Sequence, residues 1–370
     1  MSKELFQRRR QEAARRAKRE GLGALLVTHL PDVQYLSGFT GSNAALVVYA
    51  SGKPAVLMTD GRYTKQARAE AAGVRVEIVD RAALPAACTL IAKSGVRSCG
   101  VDRTQTTVQA WDVLRGALPT AKRKVLKPVG ALIAAQREVK DAEEIRVMRK
   151  AARLGCRLFE HLLGYMEPGM TELDVAAELE HEARLAGAAG MSFTSIVATG
   201  ERSSMPHGHA SAARLPRNGF ITLDFGVILD GYCSDMTRTV YMGRATNEER
   251  AAYEAVLASQ MAGVEAVKAG VACAEVDEAC RSVLRRAGLA KWFTHGTGHG
   301  VGLEIHEGPR LGTGQAQKLE AGMVVTIEPG VYLTRKKGRN FGIRIEDMVL
   351  VKENGGEVLT QDAPKGWIEI

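Results

Sequence analysis

The sequence predicts a mixed α/β protein built as two domains. Three observations carry that reading. At 370 residues the chain exceeds one average domain. Its first third alternates short apolar runs with helical stretches, as a small α/β domain does. After residue 130 the style changes: long amphipathic helices come first, and strands studded with polar residues follow.

The opening twenty residues hold eight Lys or Arg against three Glu and read as one helix, so much of the net charge of +8 sits there. A solvated basic face is the preferred reading. A nucleic-acid arm would call for interleaved aromatics, which this stretch lacks, so nucleic acid is not an expected partner. Strands are expected at Ala24–Val27, Ala45–Tyr49, Ala55–Met58 and Val74–Val79, with a helix over 62–72 before the last. Lys127-Pro128-Val129-Gly130 punctuates the chain and divides it into domains 1–129 and 130–370. Segments 141–164 and 172–188 then read as helices, the second capped by Thr171. No internal repeat is evident.

Composition narrows the class. The chain is 45% hydrophobic and 25% charged, ordinary for a globular protein. Six scattered cysteines form no Cys-x-x-Cys pair, which argues against a zinc ribbon or disulfide scaffold and fits a reducing compartment. Met1–Phe6 leads into charges without the apolar core of a signal peptide. No apolar run approaches the ~20 residues needed to cross a bilayer. A cytoplasmic protein without a membrane partner is expected.

The chemistry lies in three clusters. In Phe220–Leu229, Asp230-Gly231 and Tyr232–Tyr241, the Asp-Gly pair between strand-like runs signals a hairpin. A two-residue turn pairs Leu229 with Tyr232 and sets Asp224 opposite Thr237. Asp235 then shares that face, diagonal to Asp224, and two such acids need a cation or proton to coexist. The second cluster, His295 to Glu307, holds three of the chain's eight histidines, His295, His299 and His306. Its glycines would break the helix that a His-Glu-x-x-His zinc site requires. They would let backbone pack close to a metal or substrate around His299. The third cluster places Glu328 at the end of Val324–Ile327, and Arg344 and Glu346 on one face of a strand with Asp347 on the other. Taken alone, that pair also reads as a surface ion pair.

Together the clusters offer Asp224, Asp235, His299, Glu328 and Glu346. Four carboxylates balance two divalent cations, and a mostly oxygen set suits Mn²⁺, Co²⁺, Fe²⁺ or Zn²⁺ over copper. Paired cations polarise a carbonyl and activate water for amide hydrolysis.

This pattern resembles the pita-bread-fold metallopeptidases: Xaa-Pro aminopeptidase (aminopeptidase P), prolidase and, more distantly, methionine aminopeptidase. The resemblance spans nearly the whole chain. It implies a creatinase-like N-terminal domain, carried by Tyr35–Ser42 and Thr59–Tyr63, ahead of a pita-bread catalytic domain. It implies that the five residues above are the ligands, with Asp235 and Glu346 shared between two ions, Mn²⁺ or Co²⁺ before Zn²⁺ or Fe²⁺. Catalytic roles follow for His207, His295, His306, Glu328 and Arg344: proton transfer by Glu328, and substrate positioning and intermediate stabilisation by the others. His209 receives no role. The implied substrate is a peptide with proline second, and the implied assembly is a homodimer. Prolidase, which cuts only dipeptides, is the alternative, with the basic loop Arg335–Arg339 as its candidate closing element. A methionine aminopeptidase would lack the N-terminal domain and Arg344. A metal-free creatinase or binding homologue would have lost ligands that this chain keeps.

Overall fold

Short runs buried along their whole length build most strands of a computed structural model that describes every residue except Arg81 and Lys337. Chain contacts divide it into two units, Met1–Arg137 and Glu138–Ile370.

The first unit opens with helix α1 (Lys3–Arg19), capped by the Ser2 side chain. The expectation of a wholly solvated basic face is corrected here. Arg9 and Arg10 are buried: Arg10 donates to the carbonyls of Leu36, Ala72 and Gly73, and Arg9 donates to Tyr35 while lying 4.2 Å over its ring. Arg15, Arg16 and Arg19 gather around Glu12 at the surface. Strands β1 (Ala24–Val27), β2 (Ala45–Tyr49), β3 (Val56–Asp60), β4 (Arg75–Val79), β5 (Cys99–Asp102) and β6 (Leu126–Val129) form one sheet in the order β4-β3-β2-β1-β5-β6. Between them run α2 (Leu30–Ser37), α3 (Thr64–Glu70), α4 (Ala83–Lys93) and α5 (Val108–Ala117). The helix expected over 62–72 is shorter because a 3₁₀ turn, Gly61–Tyr63, precedes it. The last helix, α6 (Ala134–Arg137), is anchored by a buried Arg137–Asp32 ion pair at 2.7 Å.

The second unit begins with α7 (Ala142–Tyr165), capped reciprocally by Asp141 and Glu144, and α8 (Glu172–Leu185), capped by Thr171 and Asp174. Helix α8 stops three residues before the expected end, since Gly187 adopts φ 92° and turns the chain away. Then come β7 (Gly190–Met191), β8 (Ile196–Thr199), β9 (Gly219–Phe225), β10 (Val227–Leu229), β11 (Tyr232–Cys233) and β12 (Met236–Met242). Helices α9 (Asn247–Ala266) and α10 (Cys273–Arg286) lead into β13 (Gly298–Gly300), β14 (Glu307–Leu311), β15 (Val324–Ile327), β16 (Gly330–Leu333), β17 (Phe341–Arg344), β18 (Asp347–Lys352) and β19 (Gly355–Val358). The main sheets are β12-β9-β8 and β14-β13-β15-β18-β19. One apolar core packs α7 and α8 on β9 and β12; another packs α9 and α10 on the second sheet.

Two helices of this unit correspond in a way that no sequence repeat shows. Helices α8 and α10 both span 14 residues, both have an acid at the third position that accepts from the N-cap N–H (Asp174 from Thr171, Glu275 from Ala272), and both are bracketed by left-handed glycines, Gly169 and Gly187 against Gly270 and Gly288. Each is preceded by a long helix and followed by antiparallel strands.

Candidate functional site

The Asp-Gly turn forms as its chemistry dictates. Asp230 and Gly231 adopt φ 49° and 84°, both positive, as a type I′ turn requires. Leu229 faces Tyr232, and five residues on along each strand the register still holds, with Asp224 opposite Thr237. The ribbon does not run unbroken. It bends at Gly226 and at Ser234-Asp235, between β9–β12 and β10–β11, because Gly226 lies against the Ser234 carbonyl where any Cβ would collide. Asp235 thus projects from a strand break. Glu328 stands between β15 and β16, and Glu346 between β17 and β18. Three of the acids therefore leave the chain where a ladder is interrupted.

His299 comes from β13, clamped between β14 and β15. Its flanking glycines serve a different purpose from the one expected. A Cβ on Gly298 would meet the Thr326 carbonyl, and one on Gly300 would meet the Gly308 carbonyl. They allow close strand packing rather than close approach to a ligand. The Nδ1 of His299 faces the Gly300 carbonyl at 3.0 Å, an acceptor only, so Nδ1 carries the proton. The lone pair of Nε2 is left facing Glu328 at 3.4 Å and Asp235 at 3.6 Å.

Asp235, His299 and Glu346 present ligand atoms within 4.8 Å of one another. Glu346 accepts from the Thr237 hydroxyl at 2.7 Å, and Glu328 accepts from Thr326 at 3.2 Å. Asp224 takes Nη2 of Arg344 at 2.5 Å on one oxygen. Its other oxygen, and Oδ1 of Asp235, are buried without a hydrogen-bond partner among the described residues. Such atoms are costly unless something positive meets them. Burial and mutual repulsion push the Asp235 and Glu346 carboxyls well above their ordinary range, and burial pushes Glu328 up to about 8. Burial also holds His299 down to about 4, as the neutral imidazole a cation needs. Orphaned oxygens, crowded acids and a neutral histidine fit divalent cations.

Arg344 is 4% exposed, which removes the surface-pair reading. Besides Asp224 it donates to Thr237 (3.1 Å), the Pro206 carbonyl (3.1 Å) and the Tyr332 hydroxyl (2.7 Å). That hydroxyl lies 2.9 Å from Nε2 of His295, whose Nδ1 faces the Gly296 carbonyl. Burial lowers His295 to about 4, so it is neutral and accepts from Tyr332. His306 meets the His299 ring edge-on at 4.4 Å and is exposed, as is His207. Both lie in the same electrostatic neighbourhood: His207 acts on His295 and His306, and Asp224 on His306. His209 is exposed and its backbone bridges Ile196. In the basic loop, Arg335 and Arg339 pair with Glu248 and Glu249 at the start of α9, while Lys337 lies outside the described residues.

Sequence reasoning missed Tyr332, Thr237 and Thr326. Thr237 was findable as the partner opposite Asp224. Tyr332 carries no signal, since a tyrosine in an apolar strand reads as core.

Residues 146–353 match metallopeptidase family M24, and residues 9–139 match the creatinase/prolidase N-terminal domain. An uncharacterised peptidase of Bacillus subtilis, YqhT, is 36% identical over 94% of this chain and 96% of its own length. An Xaa-Pro dipeptidase structure from Bacillus anthracis has a TM-score of 0.91 at 34% identity, covering 98% of this chain and 99% of that one. An X-Pro aminopeptidase structure from Thermotoga maritima scores 0.86 at 32% identity, covering 96% and 100%.

Proposed function

This chain belongs to metallopeptidase family M24, whose members depend on divalent metal, and from that premise we propose that it releases the N-terminal residue from peptides with proline in second position. The observation that carries the reading is the convergence of Asp224, Asp235, His299, Glu328 and Glu346, two of them with orphaned buried oxygens. These residues would hold two divalent ions, Mn²⁺ or Co²⁺ before Zn²⁺ or Fe²⁺, which when bound polarise the scissile carbonyl and lower the pKa of water. Glu328, steadied by Thr326, is the carboxylate to take the proton of the attacking water and return it to the proline nitrogen. His295 is held in one tautomer by Tyr332 and Gly296. With His207 and His306 it would position the peptide and meet the developing oxyanion.

Arg344 orients Asp224 and Tyr332 rather than waiting for a ligand. A strict dipeptidase must pin the free carboxylate of proline, and this guanidinium is already committed. The aminopeptidase reading is favoured on that ground. The dipeptidase reading keeps its support from the Bacillus anthracis relative. The deciding experiment compares kcat/KM for an Xaa-Pro dipeptide, the same pair extended by two residues, and an Xaa-Ala control, with each metal added to chelated protein. Cleavage of the dipeptide alone makes the protein a prolidase, and equal cleavage of Xaa-Ala removes the proline assignment.

A cytoplasmic homodimer completes the proposal, supported by the family resemblance and the exposed Arg62, with Tyr63 beside it. No helix among the described residues is long and apolar enough to cross a membrane. Light scattering that finds a fully active monomer at nanomolar concentration counts against the dimer.

A further inference from the structure

Behind the candidate metal site lies a second buried charge cluster that the proposed chemistry does not use. Arg238 and Asp347, 1% and 0% exposed, pair at 2.7 Å. Arg238 follows Thr237 and so points to the opposite face of β12 from Asp224. Its guanidinium also donates to the carbonyls of Glu346 (2.5 Å), Thr237 (3.0 Å), Thr360 (3.2 Å), Ala363 (3.0 Å) and Pro364 (3.2 Å). Asp347 is saturated in turn: one oxygen accepts from Thr360 as well, and the other accepts from Gln260 and Lys365.

The Glu346 and Thr237 contacts matter most. Glu346 stands in a strand break, so its peptide lacks regular ladder partners and must find others. Its N–H donates to the Thr237 carbonyl at 3.1 Å, and its own carbonyl is taken by Arg238. Thr237 then donates its hydroxyl to the Glu346 carboxylate. Both peptide groups and the side chain of Glu346 are thus fixed through Arg238 and the residue beside it.

We propose that the buried Arg238–Asp347 pair is a positioning unit for the metal site: it sets the strand break at Glu346, braced by the turn Thr360–Lys365, so that the carboxylate is held ready for cations. This rests on the reading of Glu346 as a ligand. A pair that served only as fold glue would lower thermal stability and leave the metal affinity of folded protein untouched.

The test is calorimetric titration of chelated protein with Mn²⁺ and Co²⁺ well below the unfolding temperature, with folding checked by circular dichroism. D347N keeps the shape and removes the charge; its Kd should weaken roughly 10- to 100-fold, with half-saturation of activity by metal shifting in step. R149A, which removes a half-buried pair with Glu357, should keep the wild-type Kd. A folded D347N with wild-type Kd overturns the positioning role. If D347N does not fold, K365M replaces it, since Lys365 is 27% exposed and its loss leaves the central pair in place. That variant should bind several-fold more weakly, and unchanged binding overturns the proposal. Wild-type protein that binds no divalent ion overturns the metal reading itself, a different result.

Discussion

Asp235 shows why a charged residue in the wrong place is informative. Its neighbours Cys233, Met236 and Thr237 are buried strand residues, and a carboxylate among them violates the apolar pattern unless a cation repays it. D235N should therefore lose metal and most turnover while keeping native circular dichroism. Near-normal turnover in this variant, or in chelated enzyme, would sink the metal mechanism. Arg344 was legible for the same reason, through its two-residue spacing from Glu346. R344A frees Asp224 and unlinks Tyr332, and should lower kcat/KM by roughly 30- to 1,000-fold, about 2–4 kcal/mol. Tyr332 was not legible, because only the fold brings its hydroxyl between Arg344 and His295. Y332F should cut kcat about tenfold with metal content unchanged; loss of metal instead would make Tyr332 part of the metal scaffold.

Elements that rest on local chemistry could be read directly. The I′ turn fixed the Asp224–Thr237 register, and the Thr171 cap fixed the start of α8. Elements that rest on distant packing could not. The glycines around His299 looked like space for a ligand, yet their neighbours are carbonyls of residues 326 and 308, too far along the chain for any local pattern to show. The α8–α10 correspondence was hidden because it rests on helix length and four flanking glycines, while the N-caps themselves differ, Thr171 against Ala272. Two substitutions separate local stability from site geometry. T171A removes one cap and should cost about 1 kcal/mol with metal binding unchanged. G298A forces a methyl against the Thr326 carbonyl and should cost about 1–3 kcal/mol while displacing His299. Its metal affinity should fall together with its melting temperature, and a fall in melting temperature alone would show that the strand yields without moving the histidine.

At the scale of the whole molecule, metal and proton compete for the same buried oxygens, and that competition fixes how stability depends on pH. In chelated protein, Glu328 has its carboxyl raised by burial from an ordinary 4.5 to about 8, and Asp235 and Glu346 are raised in the same direction by burial and repulsion. An acid whose folded value is raised binds its proton more tightly when folded than unfolded. Its contribution is fully present below pH 4.5 and is lost as the pH climbs through about 8. Chelated protein should therefore melt at a lower temperature at pH 8 than at pH 5.5, by roughly 5 °C or more. Asp347 works the other way at the acid end. Burial alone would raise it, but Arg238 and Lys365 hold it below its ordinary 3.8, so its contribution fades only in stronger acid, outside this window. Metal binding reverses the order. Cations displace the protons, favour the ionised carboxylates and stabilise the folded state by mass action. Loaded protein should hold its melting temperature or gain from pH 5.5 to 8. Titration of metal at pH 7 should release protons, seen as a binding enthalpy that varies with the ionisation enthalpy of the buffer. A chelated protein whose melting temperature rises with pH, or metal uptake without proton release, would mean that these carboxylates are already ionised before any cation arrives.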